Sequence, residues 1–365
     1  MSKIEPRTVK GMRDFLPCDM RERNYLVKQF REVFERYGYE PLETPVMEYL
    51  DILTGKSGVE ADKLMYTFKD MAGRDLGLRY DLTIPLARII SQYPDIRKPF
   101  KRYQIQPVYR YDNPQKGRYR EFYQCDIDIV GTTSVLADAE CLSICSDVLK
   151  RLGFTNYQIK INNRVFLNGL LESIGFKDEI KIEVLRLLDK ADKVERLVLF
   201  KEASAKGVDK IQFEKLFAIL DESCGDTISF LEKFRETGAE GITELLRLYT
   251  SAIILGVPEQ NIKIDLSLAR GLDYYTSLVW EATVTEPKIG SIMGGGRYDT
   301  LVERFSNQKL PSVGLSFGFE RIYYAMKELK MFPPVPEYDG ILITIFNEDT
   351  LEESAQIAYS LRNSG

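Results

Sequence analysis

Residues 103–130 read YQIQPVYRYDNPQKGRYREFYQCDIDIV, and this stretch is the most informative part of the sequence about the fold. Both of its ends are rich in aromatic and β-branched residues, which favour strands. Asn113-Pro114 and Gly117 interrupt the middle, as a connecting loop would. The pattern predicts two strands joined into a hairpin.

The predicted hairpin has one polar face, because side chains alternate between the two faces of a strand. The polar positions are Gln104, Gln106 and Arg110 on the first strand and Gln124, Asp126 and Asp128 on the second. For an arbitrary hairpin, this pattern is typical of a half-solvated sheet with a polar outer face.

The loop of the hairpin concentrates positive charge. Lys116, Arg118 and Arg120 lie around Gly117, and Arg110 stands at the entrance. Four cations grouped in this way suit a polyphosphate. The loop is therefore predicted to bind an anion.

Composition limits the classes of function. The 365 residues suffice for two or three domains of about 100–200 residues each. A formal net charge of −5 argues against a protein that coats nucleic acid nonspecifically. Five irregularly spaced cysteines form no disulfide framework, and Cys141 and Cys145 are expected to share a buried helical face. With no signal peptide and no apolar segment long enough to span a bilayer, we expect a cytoplasmic protein without membrane contact.

The chain contains no histidine. This excludes the commonest general base, the triads that depend on histidine and most catalytic zinc sites. A reaction whose nucleophile is already ionised would need none of these.

Helical and strand patterns alternate along the rest of the chain. Helices are predicted at 19–37, 81–93, 134–152 and 351–361, and strands at 66–68, 76–79, 157–161, 262–268 and 341–346. From 164 to 260 the pattern is helical throughout, which indicates an inserted module. A single βα unit at the C-terminus cannot bury both of its faces, so the chain is expected to stop partway into another domain.

Several motifs resemble those of the histidyl-tRNA synthetases, a family of class II aminoacyl-tRNA synthetases. The segment KGMRDFLP (10–17) resembles the start of the family, GYEPLETP (38–45) resembles motif 1, the hairpin resembles motif 2, and GLSFGFER (314–321) resembles motif 3. Two segments resemble motifs that are specific to histidine, namely LARGLDYYT (268–276) and GGGRYD (294–299). No Walker or dinucleotide-binding glycine motif is present.

The resemblance implies an α+β fold, in which the antiparallel sheet of class II synthetases is flanked by helices. Residues 1–163 would form the first part of the catalytic core and 261–332 the second part, separated by a helical insertion domain at 164–260. Residues 338–365 would begin a truncated α/β anticodon-binding domain.

The resemblance also implies an activity. ATP would activate L-histidine to histidyl-adenylate, and the histidyl group would then pass to tRNA(His). The attacking carboxylate is ionised at neutral pH, so catalysis requires orientation and stabilisation of charge. The implied catalytic pair is Arg110 and Arg270, with Arg118 and Arg321 on the outer phosphates. The ordinary alternative for any one of these arginines is a salt bridge.

Two residues near the implied ATP site have alternative roles. Asp112 would either orient an arginine or contact the adenine end. Phe122 would either stack on adenine or belong to the core. Mg²⁺ is expected to accompany ATP, with no metal ligands assigned in the chain.

The implied histidine pocket uses the return strand and its neighbours. The motifs place Asp81, Thr83 and Gln124 at the α-ammonium group, and Asp128 and Tyr275 at the imidazole nitrogens. Some relatives carry glutamate where this chain has Asp128. Arg270, Tyr274 and Tyr298 complete the set, although packing under the sheet is the alternative for the tyrosines. Gly294–Gly296 would be a close-approach surface or a bulge.

The family also implies a homodimer and two competing interpretations. A non-catalytic, synthetase-like regulatory subunit of ATP phosphoribosyltransferase shares the fold and lacks the anticodon-binding domain, but it has no need of the arginine set. An ATP-dependent amide ligase of the asparagine type would not call for the segment at 268–276.

Overall fold

The fold is built on the predicted hairpin, whose strands β5 (Phe100–Tyr109) and β6 (Glu121–Val130) pair antiparallel along their full length. The computed structural model describes residues 4–54, 64–115, 117–191, 194–223, 227–235, 240–269, 275–306, 308–334 and 340–364. In the register, Gln104 lies opposite Asp126, and Gln106 lies opposite Gln124. The polar residues predicted to share a face therefore do so.

That polar face is not a solvated outer surface, so the alternative of a half-solvated sheet does not apply. Gln104, Asp126 and Asp128 are all at most 3% exposed. The face is covered because Arg102 donates to the carbonyl oxygen of Leu82, Gln104 donates to the hydroxyl of Thr44, and Tyr298 donates to Asp128. The opposite face carries Cys125, Ile127 and Ile129 and belongs to the hydrophobic core.

Eight strands of the described residues form the main sheet, in the order β1-β5-β6-β11-β10-β9-β7-β8. The inner pairs are antiparallel, whereas β1 with β5 and β7 with β8 are parallel. A second sheet has the order β2-β4-β3. The strands other than the hairpin are β1 (Glu40–Pro41), β2 (Met47–Tyr49), β3 (Thr67–Lys69), β4 (Asp75–Leu78), β7 (Tyr157–Asn163), β8 (Ile262–Ile264), β9 (Leu278–Val284), β10 (Ser291–Arg297) and β11 (Ser312–Gly318).

Helices flank the sheet, as the α+β class requires. They are α1 (Pro17–Arg36), α2 (Leu50–Thr54), α3 (Thr83–Gln92), α4 (Val135–Arg151), α5 (Arg164–Ile174), α6 (Asp178–Leu188), α7 (Arg196–Ala205), α8 (Lys210–Ser223), α9 (Thr227–Arg235), α10 (Glu240–Ile254), α11 (Phe319–Glu328) and α12 (Leu351–Ser364). None of the helices in the described ranges combines the length and hydropathy needed to cross a bilayer.

Helix α1 shows how the sequence covers the apolar face. Its buried residues Leu26, Phe30, Val33 and Phe34 recur at helical spacing. The rings of Phe30 and Phe34 lie 5.0 and 6.1 Å from the ring of Phe317 on β11. The centre of the sheet is thereby packed on the side away from its polar face.

The described residues between β7 and β8 are mainly helical, as predicted, and form α5 to α10. Residues up to Met331 form one compact unit, and Phe332–Gly365 form another. The strand predicted at 262–268 ends at Ile264, because Asp265 accepts hydrogen bonds from the backbone N–H and hydroxyl of Ser267 and turns the chain.

In the second unit, the helix predicted at 351–361 is confirmed as α12. The strand predicted at 341–346 is wrong. Ile341, Leu342 and Phe346 are exposed, and none of the described residues forms a ladder with them. A strand needs a paired neighbour, which apolar composition alone does not provide.

Candidate functional site

Two adjoining cavities lie along the hairpin. The larger, about 510 Å³, is enclosed by the loop, β10, β11 and the start of α11. The smaller, about 220 Å³, lies over the polar face near the start of α3. Both are lined by Arg110, Gln124, Tyr275 and Ser316, so the two cavities share a wall.

Arg110 occupies this wall at the end of the first strand. Its Nε donates to the carbonyl oxygen of Tyr80 at 2.9 Å, and its Nη2 lies 3.5 Å from Gln124 Oε1. The guanidinium carbon is 5.1 Å from the centre of the Phe122 ring. Phe122 also lines the larger cavity and is half-buried, so its ring is available there. Arg110 is therefore held from two sides and exposed to both cavities.

Three more predicted residues line the larger cavity: Asp112, Arg118 and Arg321. The exposed Arg118 side chain has its Nη1 3.8 Å from Asp112 Oδ1, which agrees with an orienting role for Asp112. Arg321 at the start of α11 donates a hydrogen bond to the carbonyl oxygen of Ser291. The structure thus brings cations from the hairpin and from motif 3 to one cavity.

Arg120 does not belong to this set, so the grouping of four loop cations is wrong. Its side chain is 9% exposed, lies 3.9 Å from the Tyr111 ring and donates to the carbonyl oxygen of Asp112 at 3.1 Å. These contacts of Arg120 stabilise the base of the loop. Lys116 lies outside the described residues.

Asp81 and Thr83 line the smaller cavity at the start of α3. Asp81 Oδ1 accepts from the backbone N–H groups of Thr83 and Ile84, at 3.2 and 2.9 Å, and so satisfies N–H groups of the first turn of α3. Burial raises the pKa of Asp81 above its usual range, and Arg110 opposes the shift. A cation entering this cavity would favour the ionised carboxylate.

Gln124 joins the two cavities. Its Nε2 donates to Ser316 Oγ at 2.8 Å and lies 3.5 Å from Asp126 Oδ1, while its Oε1 faces Arg110. The side-chain amide is thus oriented with its oxygen toward the arginine.

Asp128 is the centre of a buried polar network. Its Oδ1 accepts from the hydroxyl of Tyr298, and its Oδ2 lies 2.7 Å from Nη2 of Arg102 in an ion pair. Burial raises the pKa of Asp128, and both partners oppose that shift. Arg102 thus holds one oxygen of the carboxylate and Tyr298 the other, while Asp128 lines the smaller cavity.

Sequence reasoning missed two members of this network. Arg102 is fully buried. It lies two residues before Gln104 and continues the polar face, so the alternation of polar residues is a signal that identifies it. Asp126 was placed on the correct face but given no role, although it lines the smaller cavity. Burial raises the pKa of Asp126 to about 7, while Arg102 opposes the shift and Asp128 adds to it.

Glycines let the strands beneath the cavities approach closely. A Cβ on Gly296 would lie 2.9 Å from the Tyr275 ring, and one on Gly295 would lie 2.7 Å from the Cβ of Leu315. A Cβ on Gly314 would overlap the carboxylate of Asp128. Close approach is therefore the reason for Gly295 and Gly296, and the irregularity in β10 falls before them, between Ser291 and Met293.

Tyr275 lines both cavities, whereas Arg270 and Tyr274 lie outside the described residues. Tyr298 is 3% exposed and lines the smaller cavity. The predicted residues that are described thus form two groups, one rich in arginine and one rich in carboxylates. Such a pair of cavities suits a polyanion beside a small ligand that carries an ammonium group.

Comparison with known proteins identifies relatives over nearly the whole chain. The family model described as histidyl-tRNA synthetase matches residues 11–322. The histidine–tRNA ligase of Rhodopirellula baltica is 42% identical over 99% of this chain and 84% of its own length, and that of Cytophaga hutchinsonii is 39% identical over 99% and 86%.

Solved structures agree with these relatives. A histidyl-tRNA synthetase from Nostoc sp. PCC 7120 superposes with a TM-score of 0.84 at 31% identity, covering 100% of this chain and 85% of that one. A protein from Bacillus halodurans C, described as an ATP phosphoribosyltransferase regulatory subunit/histidyl-tRNA synthetase, has a TM-score of 0.80 over 100% of this chain and 92% of that one. At 22% identity, the second likeness shows the shared fold alone.

Proposed function

The chain belongs to the histidyl-tRNA synthetase family, and we propose that it activates L-histidine with ATP and transfers the histidyl group to tRNA(His). The observation that carries the proposal is the shared wall of the two cavities, where Arg110 and Gln124 face both. ATP would occupy the larger cavity and histidine the smaller, which would bring the carboxylate and the α-phosphate together at Arg110.

The first step would need no general base. The carboxylate of histidine is ionised at neutral pH and attacks the α-phosphorus, and pyrophosphate leaves with the electrons of the broken P–O bond. Arg110 would stabilise the charge on the α-phosphate with its planar, permanently charged guanidinium group. The motif at 268–276 assigns Arg270 to the same task.

The remaining ATP contacts follow from the lining of the larger cavity. Arg118 and Arg321 would hold the outer phosphates, and Phe122 would stack on adenine. Asp112 would keep Arg118 oriented, which the ion pair between them supports. Mg²⁺ would enter as the ATP complex, since it prefers phosphate and water oxygens and the described residues form no cluster of three or more metal-ligating side chains.

The smaller cavity would recognise histidine through its carboxylates. Asp81, Thr83 and Gln124 would accept hydrogen bonds from the α-ammonium group. Asp128, which Arg102 and Tyr298 hold in place, would accept the N–H of the ring, with Tyr275 at the other nitrogen.

Specificity for histidine would come from these placed polar groups. An amino acid without a ring N–H would lose the hydrogen bond to the buried carboxylate of Asp128, and sites of this kind reject such analogues by roughly 10⁴–10⁵ in the best cases. Tyr298 would orient Asp128, and Tyr274 would complete the pocket from the histidine-specific motif.

Larger-scale features are proposed from the family alone. The insertion at 164–260 would contact the tRNA, residues 338–365 would begin an anticodon-binding domain, motif 1 would contribute to a homodimer, and the protein would act in the cytoplasm.

Histidine-dependent exchange of pyrophosphate into ATP tests the proposed activity. We expect exchange with histidine and Mg-ATP, and we expect Arg110→Ala to lower kcat by roughly 10²–10³. Arg36→Ala is the matched control, because Arg36 forms an exposed ion pair with Asp147 at 2.8 Å and lies outside both cavity linings. Absence of exchange in the unmodified protein would reject the synthetase and support the regulatory-subunit alternative.

A further inference from the structure

We propose that the N-terminal clamp, defined as residues 10–15, fixes the hairpin loop beside the larger cavity, with Arg13 as a positioning residue for ATP. The inference rests on the proposed function, because it assigns that cavity to ATP. The clamp lies in a segment that the sequence singled out and that neither cavity lining includes.

The backbone of the clamp is joined to the return arm of the loop. The N–H of Arg120 donates to the carbonyl oxygen of Gly11 at 2.8 Å, and Arg120 Nη1 donates to that of Lys10 at 3.5 Å. Arg120 also donates to the carbonyl oxygen of Asp112 on the outgoing arm. Both arms of the loop are therefore connected through one buried arginine to the N-terminal segment.

Gly11 is required where the clamp meets the loop. Its φ of +84° favours glycine, and a Cβ there would lie 2.8 Å from carbon atoms of Arg120 and 2.9 Å from Cγ of Pro114. The clamp therefore lies in close contact with both arms of the loop.

Arg13 connects the loop to helix α11. Its guanidinium carbon lies 3.3 Å from the centre of the Tyr119 ring, and its Nη2 is 2.5 Å from Glu320 Oε2. Glu320 is 4% exposed and is also held by Arg23, at 2.9 and 3.0 Å. Tyr119 and Glu320 both line the larger cavity, so Arg13 joins two parts of its wall from behind.

Arg118 depends on this support. In the described part of the loop, backbone hydrogen bonds between Gln115 and Arg118, at 2.8 and 3.0 Å, close the tip, and the ion pair of Arg118 with Asp112 spans 3.8 Å. Tyr119, stacked on Arg13, is the residue next to Arg118. Without the clamp, the tip would have to be ordered each time ATP binds, at a cost in conformational entropy.

Arg13→Ala tests the clamp in the pyrophosphate exchange assay. We expect the KM for ATP to rise roughly ten- to a hundredfold, with the KM for histidine within about twofold of its original value. Arg13→Lys, which keeps the charge for Glu320 but loses the planar stack on Tyr119, should fall between the two proteins. Arg36→Ala should leave both constants unchanged.

Amide hydrogen exchange supplies a readout that does not depend on turnover. Residues 117–120 should exchange faster in Arg13→Ala than in the unmodified protein, and ATP should restore their protection only at higher concentration. An equal rise in the KM for ATP and the KM for histidine, or unchanged amide hydrogen exchange at residues 117–120, would overturn the proposed clamp. If the unmodified protein shows no pyrophosphate exchange, the proposed function fails, and ATP binding together with amide exchange still decides whether the clamp exists.

Discussion

Asp126→Asn is expected to change how the stability of the protein depends on pH. Asp126 is 2% exposed, and burial raises the pKa of its carboxyl from 3.8 to about 7. The charged groups that act on it are Arg102 on β5, Asp128 on β6 and Asp81 before α3, and Ser316 on β11 hydrogen-bonds to it. Asparagine keeps the shape and an acceptor oxygen but has no proton to lose in this range.

The sign follows from proton linkage. Between pH 3.8 and about 7 the folded protein keeps a proton on Asp126 that the unfolded chain has lost, so the free energy of unfolding falls as pH rises. A single group with these two pKa values removes about 3 kcal/mol of stability between pH 5 and pH 8, and about 1 kcal/mol of this loss falls between pH 6 and pH 8. The asparagine variant lacks this pH-dependent contribution to the free energy of unfolding.

Urea unfolding at pH 5, 6, 7 and 8 measures the effect as the difference between the two proteins. The variant should gain stability relative to the unmodified protein as pH rises. Asp178→Asn is the control, because its side chain is 91% exposed and the substitution removes the same formal charge. The reasoning is refuted if the difference in unfolding free energy between Asp126→Asn and the unmodified protein stays constant from pH 5 to pH 8.

Two further substitutions test other parts of the site. Tyr298→Phe removes the hydroxyl that donates to Asp128, so we expect the free energy of unfolding, measured in urea, to fall by about 1–3 kcal/mol. In pyrophosphate exchange, the KM for histidine should rise while the KM for ATP stays unchanged. An equal rise in both KM values would contradict this prediction. Gly295→Ala should lower the free energy of unfolding by about 1–3 kcal/mol, because its methyl group would meet Leu315 Cβ at 2.7 Å. Gly169→Ala in α5, with open space around it, should instead raise the free energy of unfolding by about 0.5–1 kcal/mol. Equal effects of the two alanines on urea unfolding would show that close approach does not constrain β10.

Local patterns predicted the hairpin because every signal for it lies within 28 residues of sequence. Alternation placed Gln124 and Asp128 on one face, and the structure agrees. The burial of Arg120 is not contained in the local pattern, because Lys10 and Gly11, which accept hydrogen bonds from its side chain and its backbone N–H, lie far away in sequence. Likewise, the predicted strand at 341–346 needed a partner strand, and pairing is a non-local property that periodicity does not contain.

The pairing of Arg102 with Asp128 was also hidden from local reasoning. Alternation puts both residues on the polar face, but only the register of the strands sets them directly opposite each other. That register is held by the buried apolar residues of β6, because a slip by one residue would turn Ile127 and Ile129 toward the polar face. The apolar face of the hairpin therefore determines the alignment of charges in the smaller cavity.

In the proposed pocket, this alignment would let a chain without histidine recognise a histidine side chain. A neutral Asp128 would carry a proton on its carboxyl and compete with the ring as a donor, whereas an ionised Asp128 can only accept. Burial favours the neutral form, and Arg102, fully buried at 2.7 Å, favours the ionised form. Selectivity in the proposed pocket would thus depend on a cation outside its lining, because Arg102 favours the ionised form of the group that is proposed to meet the ring.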